Sequence, residues 1–404
     1  MKGALKKIAV MMHQAQPEAN FAFEFWDGER VGYGDLSRPG AVTLRFKSPR
    51  SAKQIIASGF LGFGEAYMAG DLDLDGDFQE LMRLGICTGF DQVPLSPWQK
   101  LLFWVQRLTA RSTTNRACQN IAHHYDRGDD FYSLYLDPTM TYSCAYFRSP
   151  GDSLEQAQRQ KYQHIARKLL LKAGERLLDI GCGWGGMLIH AAGYLGVDAV
   201  GNTISRSQYE YVRQRIRELN LENKIGVSFE DYRSLTGKFD KVVSIGMFEH
   251  VGKEFIPVFM GKVSQLLNRG GLGLLHTIAK DAPSASDPWT WKYIFPGGYV
   301  PTLDEIVREL GRAGFTILDI ENLRQHYART LDLWAENYEH NMEKVRRMYD
   351  DAFVRMWRLY LHCASAEFKY GDLRLYQVLF SKGLNNDLAI TRDHVYAREG
   401  SNDL

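Results

Sequence analysis

The stretch that decides the fold is LLDIGCGWGG, Leu177–Gly186. Its apolar start, which carries Asp179, predicts a short buried strand. The glycines Gly181, Gly183 and Gly185 follow directly, and glycine lets the chain turn tightly and lets a ligand approach the backbone. Because a helical pattern begins right after them, the stretch predicts a strand–loop–helix unit with a ligand at its loop.

The spacing of the glycines favours one class of ligand. The order is D-x-G-x-G-x-G, whereas G-x-G-x-x-G is typical of a pyrophosphate held at a helix end. A carboxylate at Asp179 can accept hydrogen bonds from a positively charged amino-acid group, which fits S-adenosylmethionine better than NAD. The alternative is a glycine-rich turn without a ligand.

Strands and helices alternate on both sides of this stretch. This alternation predicts an α/β class with a Rossmann-like, doubly wound, mostly parallel sheet, typical of S-adenosylmethionine-dependent methyltransferases. The predicted elements are a helix over 154–171, a strand over 176–180, a helix over 187–195, a strand over 198–202, a helix over 207–219, strands over 224–230 and 239–245, a helix over 255–267 and a strand over 271–277.

The sequence divides into three predicted segments. Residues 1–90 combine strand-like alternation with a glycine-punctuated stretch, and they predict a small N-terminal α+β domain. Residues 91–121 are predicted to be a connector, and residues 122–404 a large α/β domain with an insertion after Thr277.

Composition narrows the possible functions. Lys plus Arg number 49 and Asp plus Glu 48, so the net charge of +1 gives no argument for a nucleic-acid partner. The five cysteines are scattered without a CxxC pair, so neither a disulfide framework nor a metal site is expected. No apolar run is long enough to span a bilayer, and the N-terminus resembles a signal peptide only faintly. We therefore expect a cytoplasmic protein.

Further cofactor contacts are predicted after the next two strands. The stretch GNTISRSQ contains no acid for the ribose hydroxyls, so Thr203, Ser205 and Gln208 are the candidates. Ser205 is more simply the N-cap of the following helix. Asp231 is the candidate for the adenine amino group, with a solvated loop acid as the alternative.

Several motifs together resemble the cyclopropane-fatty-acid synthases, and are similar also to the mycolic acid cyclopropane synthases. These motifs are TYSCAYF (141–147), LLDIGCGWGG (177–186), VGNTISRSQ (200–208), SIGMFEHVG (244–252) and LLHTI (274–278). They occur in the family's order from about Ala122 onward. The stretch FGEAYMAGDLDLDGD, Phe63–Asp77, resembles the extra domain of the phospholipid-acting members, which implies lipid binding or assembly for residues 1–90. The resemblance also implies that residues 122–404 are a methyltransferase domain whose insertion after Thr277 caps an acyl pocket.

The resemblance implies a reaction and a set of residues. A methyl group passes from S-adenosylmethionine to a cis double bond of an unsaturated acyl chain, a proton leaves the new methyl group, and a ring closes. The family holds a bicarbonate ion as the base, and its ligands carry over onto Cys144, Glu249, His276, Tyr327 and Cys363. Tyr142 and Ser143 carry over as contacts of S-adenosylmethionine.

A physical argument supports two of these residues independently. Glu249 and His276 each follow or end a predicted strand, so both should face the crevice at the carboxyl ends of the strands. There a histidine and a carboxylate can orient a small oxyanion. For a lone histidine on a strand, the alternative is an ordinary core residue. Cys144 has no neighbouring base, so it is not expected to be a nucleophile.

The implied substrate is a membrane phospholipid, so peripheral contact with the inner membrane face is expected. The segment Trp98–Leu108 mixes aromatic and basic residues like an interfacial helix, although packing on the protein core explains the pattern equally. Basic residues of the connector and the N-terminal lysines are candidates for headgroup contacts. The resemblance also implies a homodimer.

Three other functions compete with ring formation. The same cation can end as a methyl or methylene branch. A methyltransferase for a small molecule or a hydroxyl group would not need the bicarbonate ligands. A lipid-binding protein without activity would bind lipid and show no turnover.

Overall fold

The computed structural model describes residues 1–89, 127–284 and 287–396. Its strands are β1 (Phe21–Glu24), β2 (Arg30–Tyr33), β3 (Val42–Phe46), β4 (Leu72–Gly76), β5 (Arg176–Ile180), β6 (Asp198–Thr203), β7 (Ile225–Phe229), β8 (Phe239–Ile245), β9 (Leu267–Lys280), β10 (Phe315–Asn322) and β11 (Leu373–Lys382).

The helices fall between and after these strands. They are α1 (Lys2–Ala15), α2 (Pro49–Met68), α3 (Phe78–Cys87), α4 (Asp129–Tyr132), α5 (Leu154–Lys168), α6 (Gly186–Leu195), α7 (Arg206–Glu218), α8 (Ile256–Leu266), α9 (Pro288–Tyr293), α10 (Leu303–Arg312), α11 (Arg324–His340), α12 (Met342–Met348), α13 (Asp351–Tyr370) and α14 (Asp393–Tyr396). None of the helices in the described ranges is both long enough and apolar enough to cross a bilayer.

The described chain forms two compact units. The first comprises residues 1–89, 287–296 and 331–372, and the second comprises residues 127–284, 297–330 and 373–396. The sequence assigned 287–296 and 331–372 to the methyltransferase domain, whereas they group here with the N-terminal residues. The connector predicted at 91–121, with the segment Trp98–Leu108, lies outside the described residues.

The first unit contains a small mixed sheet in the order β2-β1-β3-β4. In β3, Val42, Leu44 and Phe46 are buried and alternate with partly exposed residues, the pattern of a strand with one face on a core. The ion pair between Arg355 and Asp73, 2.8 Å long, joins α13 to β4. This unit confirms the predicted small α+β domain.

Two of the three lysines near the N-terminus, Lys2 and Lys6, have carboxylate partners within the first unit. Lys2 pairs with Asp27 and Glu29, and Lys6 pairs with Glu29. Both ammonium groups are therefore compensated by carboxylates of the same unit, which weakens their assignment as headgroup contacts.

The second unit is built on a seven-stranded sheet in the order β10-β11-β9-β8-β5-β6-β7. Pairing is parallel from β9 through β8, β5 and β6 to β7, and antiparallel where β11 joins β9 and β10 joins β11. The parallel strands between helices confirm the predicted Rossmann-like methyltransferase sheet. Since β5 and β8 are adjacent, the loops after them open at the same edge.

Residue burial explains why β5 lies inside this sheet. Leu177 to Ile180 are all buried, which matches a parallel strand covered on both faces. On one side Leu177 packs with Ile165 and Met187, and on the other Leu178 packs with Phe259. The strand is thus fixed by packing, and its carboxyl end delivers Asp179 and the glycines to the edge where a ligand can bind.

Candidate active site

The glycine loop is held in a conformation that favours glycine. Gly181, Gly183 and Gly185 all have positive φ angles, of 77°, 55° and 82°. Gly181 is the most constrained, because a Cβ atom there would lie 2.5 Å from Cγ of Met247. The predicted strand–loop–helix unit is confirmed, with α6 beginning at Gly186.

Substitution of Gly181 by alanine is expected to destabilise the protein by about 2–5 kcal/mol, as the left-handed backbone costs about 1–2 kcal/mol and displacing Met247 costs about 1–3 kcal/mol. Gly270→Ala is the matched control, since Gly270 has a φ of 75° and no atom within 4 Å of the added Cβ. Urea denaturation measures both variants. Equal losses in the two would contradict the close contact with Met247.

A cleft opens beside this loop and encloses about 1120 Å³, part of it open to solvent. It is lined by eight of the ten residues predicted to contact the cofactor, which are Tyr142, Ser143, Asp179, Gly181, Gly183, Thr203, Gln208 and Asp231. Gly185 and Ser205 are absent from the lining and shape the backbone next to it.

Ser205 is the N-cap of α7. Its Oγ accepts a hydrogen bond from the backbone N–H of Gln208 at 3.3 Å. The Gln208 side chain in turn accepts from Oγ1 of Thr203 at 2.8 Å. The capping role predicted for Ser205 is therefore confirmed, while Thr203 and Gln208 form a buried polar pair that faces the cleft.

Asp231 is held firmly at the far side of the cleft. It accepts from the backbone N–H of Arg233 at 2.9 Å and forms two bonds of 2.7 and 2.8 Å with the Arg233 guanidinium. These bonds keep its pKa below the usual range although burial opposes this. Its carboxylate is therefore fixed in the charged form at the edge of the cleft, a placement that suits a donor such as an adenine amino group.

Asp179 is the acid at the bottom of the cleft. Its side chain is 2% exposed, and its Oδ1 is buried without a hydrogen-bond partner among the described residues. Burial raises its pKa to about 7. An unpartnered buried carboxylate oxygen is costly, so a cationic donor in the cleft would be bound favourably.

Sequence reasoning missed three residues of the cleft region. Lys161 and His250 line the cleft, and Asp129 accepts from Nε1 of Trp184 at 2.8 Å and from Oγ of Ser207 at 3.0 Å. Asp129 thereby ties the glycine loop to α7. A signal for Lys161 existed, because it lies at helical spacing on the apolar face of α5, where a charge is unexpected.

A second group of predicted residues lies next to the cleft. Gly246 lines the cleft and donates its N–H to the carbonyl of His276 at 2.9 Å. Glu249 follows in a short 3-10 turn, and its Oε1 accepts from the backbone N–H of Ile278 at 2.6 Å. Glu249 is therefore held at β9 two residues beyond His276, and His276 pairs in register with Ile245 at the end of β8. Both residues thus lie near the carboxyl end of β8, as the sequence predicted.

Both side chains keep one buried polar atom without a partner among the described residues. These atoms are Oε2 of Glu249 and Nε2 of His276. Burial raises the pKa of Glu249 and lowers that of His276 well below its usual range, so the imidazole is neutral. Nδ1 of His276 lies 3.1 Å from Nε2 of Gln377, and with the amide donating there, His276 carries its proton on Nε2.

Cys144 and Tyr327 join this group through the backbone of Leu323. Sγ of Cys144 lies 4.0 Å from the Leu323 carbonyl, which also accepts from the Tyr327 N–H at 3.1 Å. The Leu323 N–H donates to the carbonyl of Leu375, whose Cα is the register partner of Ile278. The chain of contacts brings four of the five predicted ligands into one region of the second unit.

Cys144 and Cys363 are buried, and neither thiol is activated by its surroundings. Burial raises the pKa of the Cys144 thiol, so the neutral form is retained. Cys363 belongs to the first unit, where its Sγ lies 3.1 Å from the sulfur of Met82 and burial raises its pKa well above the ordinary value. Neither thiol is poised as a nucleophile, which agrees with the interpretation of Cys144.

The donors present fit a hydrogencarbonate ion. A neutral His276 with its proton on Nε2 offers a donor to an anionic oxygen, and Oε2 of Glu249 offers an acceptor to an O–H group. A small ion with one O–H group and charged oxygens would give both buried atoms the hydrogen-bond partners that they lack among the described residues.

Comparison with known proteins identifies the family of the chain. The family model described as mycolic acid cyclopropane synthetase matches residues 112–378. A second model, a domain of unknown function (DUF7884), matches residues 9–86. The first match includes the glycine loop and both groups of residues in the second unit.

Two curated relatives span nearly the whole chain. A probable fatty acid methyltransferase of Pseudomonas putida is 36% identical, over 92% of this chain and 95% of its own length. The cyclopropane-fatty-acyl-phospholipid synthase of Escherichia coli (strain K12) is 37% identical, over 90% of this chain and 96% of its own length.

Among solved structures, the mycolic acid cyclopropane synthase CmaA1, in complex with SAH and CTAB, is similar with a TM-score of 0.63 and 33% identity. The match covers 66% of this chain and 98% of that one. These matches confirm the resemblance drawn from the motifs. The chain belongs to the mycolic acid cyclopropane synthetase family.

Proposed function

We propose that this protein is an S-adenosylmethionine-dependent methyltransferase that adds a methylene group across a cis double bond of a phospholipid acyl chain and closes a cyclopropane ring. The observation that carries the proposal is the pairing of two sites at one sheet edge. A glycine-loop cleft adjoins Glu249 and His276, each with a buried, unpartnered polar atom.

The cleft residues suit the proposed cofactor, which supplies an electrophilic methyl group when it is bound. Asp179 would accept from its ammonium group, Thr203 and Gln208 would face the ribose, and Asp231 would face the adenine. The family's structure with SAH supports this use of the cleft. Transfer of a methyl group to a weakly nucleophilic alkene needs close positioning of the two reactants, which a walled cleft provides.

Glu249 and His276 suit the second half of the reaction. We propose that they hold a hydrogencarbonate ion, which would supply the base for removal of a proton. Glu249 would accept from its O–H group, and His276 would donate to a charged oxygen from Nε2. Cys144 and Tyr327 complete the proposed surroundings, and Cys363 stays a prediction from the resemblance.

The proposed substrate implies contact with a membrane surface. The candidate segment Trp98–Leu108 lies outside the described residues, and Lys2 and Lys6 are paired with acids. Reversal of Lys100, Arg107 and Arg111 to glutamate is expected to weaken sedimentation with anionic vesicles, because each basic residue near such a surface contributes about 1 kcal/mol. Unchanged sedimentation would contradict docking through this segment.

The second candidate function is formation of a methyl or methylene branch on the same acyl chain. It is favoured by the Pseudomonas putida relative, which carries the name of a fatty acid methyltransferase. Both functions require the same cleft and the same initial cation on the chain. They differ in the step that consumes this cation, which gives a ring in the first function and a branch in the second.

The proposal is tested by incubating the purified protein with S-adenosylmethionine, bicarbonate and vesicles of cis-monounsaturated phospholipid. Mass spectrometry of the released fatty acids is expected to show a gain of CH2 with loss of the double bond. Vesicles of saturated phospholipid are the control and should show no gain. A gain of CH2 with the alkene retained would contradict ring closure and support the branching function.

A further inference from the structure

The cleft contains a buried cation that the proposed chemistry does not yet use. Lys161 lies on the buried face of α5 and is 0% exposed. It lines the cleft together with Asp179 and Ser143. A lysine taken out of water to this extent is costly unless an anion or several acceptors compensate it.

The described residues satisfy the charge and the N–H donors of Lys161 only in part. The Lys161 ammonium donates one hydrogen bond among the described residues, to Oγ of Ser143 at 2.8 Å, and lies 4.5 Å from the ring centre of Tyr162. Burial lowers its pKa to about 7 although Cys144, Asp137 and Asp179 oppose this. Three N–H donors are available on an ammonium group, so Lys161 retains capacity for a ligand.

Among the described residues, Asp179 lacks a hydrogen-bond donor at one carboxylate oxygen, just as Lys161 lacks further acceptors. Its Oδ1 is buried and lacks a donor, and burial raises its pKa to about 7. One cleft thus holds a buried cation and a buried anion that each lack full compensation. A ligand with both a carboxylate and an ammonium group would satisfy the two together.

We propose that Lys161 binds the α-carboxylate of S-adenosylmethionine while Asp179 binds its ammonium group. The pair then recognises the amino-acid end of the cofactor as a zwitterion. Ser143 accepts a hydrogen bond from Lys161 and lines the same cleft. This inference rests on the proposed function, since it assumes that the cleft binds S-adenosylmethionine.

The alternative role of Lys161 is to orient Ser143 without touching the ligand. The two roles differ in their dependence on the ligand's carboxylate. Direct binding predicts a loss that disappears when the carboxylate is removed from the ligand. Orientation alone predicts a similar loss for every ligand that reaches Ser143.

The experiment compares three ligands by titration calorimetry with the full-length protein. They are S-adenosylhomocysteine, its decarboxylated analogue, which keeps the amine, and 5′-methylthioadenosine, which lacks the whole amino-acid group. Wild type is expected to bind the decarboxylated analogue about 10–100-fold more weakly than S-adenosylhomocysteine, the loss of one charge-assisted contact. Equal affinity of wild type for the two would overturn the inference without any variant.

Lys161→Met is expected to weaken the binding of S-adenosylhomocysteine by a similar factor of about 10–100-fold. Its affinity for the two other ligands should be unchanged. Lys161→Arg should restore part of the lost affinity for S-adenosylhomocysteine. Lys168→Met is the matched control, because Lys168 is buried on the same helix but pairs with Glu321 and lies outside the cleft lining. It should lower the melting temperature and keep the preference for the carboxylate. A uniform loss for all ligands in Lys161→Met would overturn the inference, and failure of wild type to bind S-adenosylhomocysteine would overturn the proposed function with it.

Discussion

Replacement of Glu249 by glutamine is expected to lower kcat for product formation by about 100–10,000-fold, the usual contribution of a positioned acid–base group. The amide keeps the shape of the side chain, and its oxygen can still accept from the N–H of Ile278. It replaces the charged acceptor at Oε2 by a weaker or donating group. The arrangement proposed for hydrogencarbonate is thereby lost, while the neighbouring cleft is preserved.

The fold should tolerate this change. Burial raises the pKa of Glu249 in the folded protein above its pKa in the unfolded chain. The free energy of unfolding therefore falls as the pH rises above the unfolded-state pKa, because ionisation is less favourable in the folded protein. Glutamine removes that cost, and the melting temperature at neutral pH should be equal or higher. Glu254→Gln is the control, because Glu254 is exposed and lies in the turn that follows Glu249. This variant is expected to keep full activity. Full activity of Glu249→Gln would contradict the proposed role.

Replacement of Asp179 by asparagine is expected to weaken binding of S-adenosylhomocysteine by about 10–100-fold, because a hydrogen bond to a charged group contributes about 1.5–3 kcal/mol. Asparagine has nearly the same shape and lacks the charge. The loss should be absent for 5′-methylthioadenosine, which has no ammonium group. Calorimetric titration of both ligands measures the difference.

Asp179→Asn should weaken ligand binding without lowering the stability of the fold. The folded pKa of Asp179 is raised to about 7, so stability is lost as the pH rises through that value and the carboxylate ionises. Asparagine should therefore not lower the melting temperature at neutral pH. Asp198→Asn, at the amino end of β6 and paired with Lys224, is the control and should bind both ligands normally. Equal weakening of both ligands by Asp179→Asn would contradict its contact with the ammonium group.

Most of the parallel sheet was predictable because its central strands, such as β5 and β8, are largely buried and give short apolar runs. The strand at 239–245 was predicted at its observed bounds, and β5 likewise. β9 runs from Leu267 to Lys280, longer than the predicted 271–277, because pairing with β8 and β11 continues beyond its apolar centre. β10 was not predicted because it is an edge strand with half-exposed residues and lacks a continuous apolar run. β11 was not predicted either, although it is an interior strand buried from Leu375 to Ser381, because the polar residues Gln377 and Ser381 interrupt its apolar pattern.

The candidate site was predictable where a motif follows a strand. Asp179, Gly181 and Gly183 are fixed by β5, and Glu249 and His276 by β8 and β9. Lys161 was missed because it lies on a helix, far in sequence from every motif, and only three-dimensional packing brings it to the cleft. Asp129 was missed for the same reason.

The most direct test of the central claim is to follow the transferred methyl group itself. The protein is incubated with S-adenosylmethionine carrying a fully deuterated methyl group and with cis-monounsaturated phospholipid vesicles, and the acyl product is analysed by mass spectrometry and NMR. The account predicts a product that has lost one deuterium and shows a CD2 group within a saturated three-membered ring. Retention of all the methyl deuterium, or a CD2 group on a remaining double bond, would contradict it.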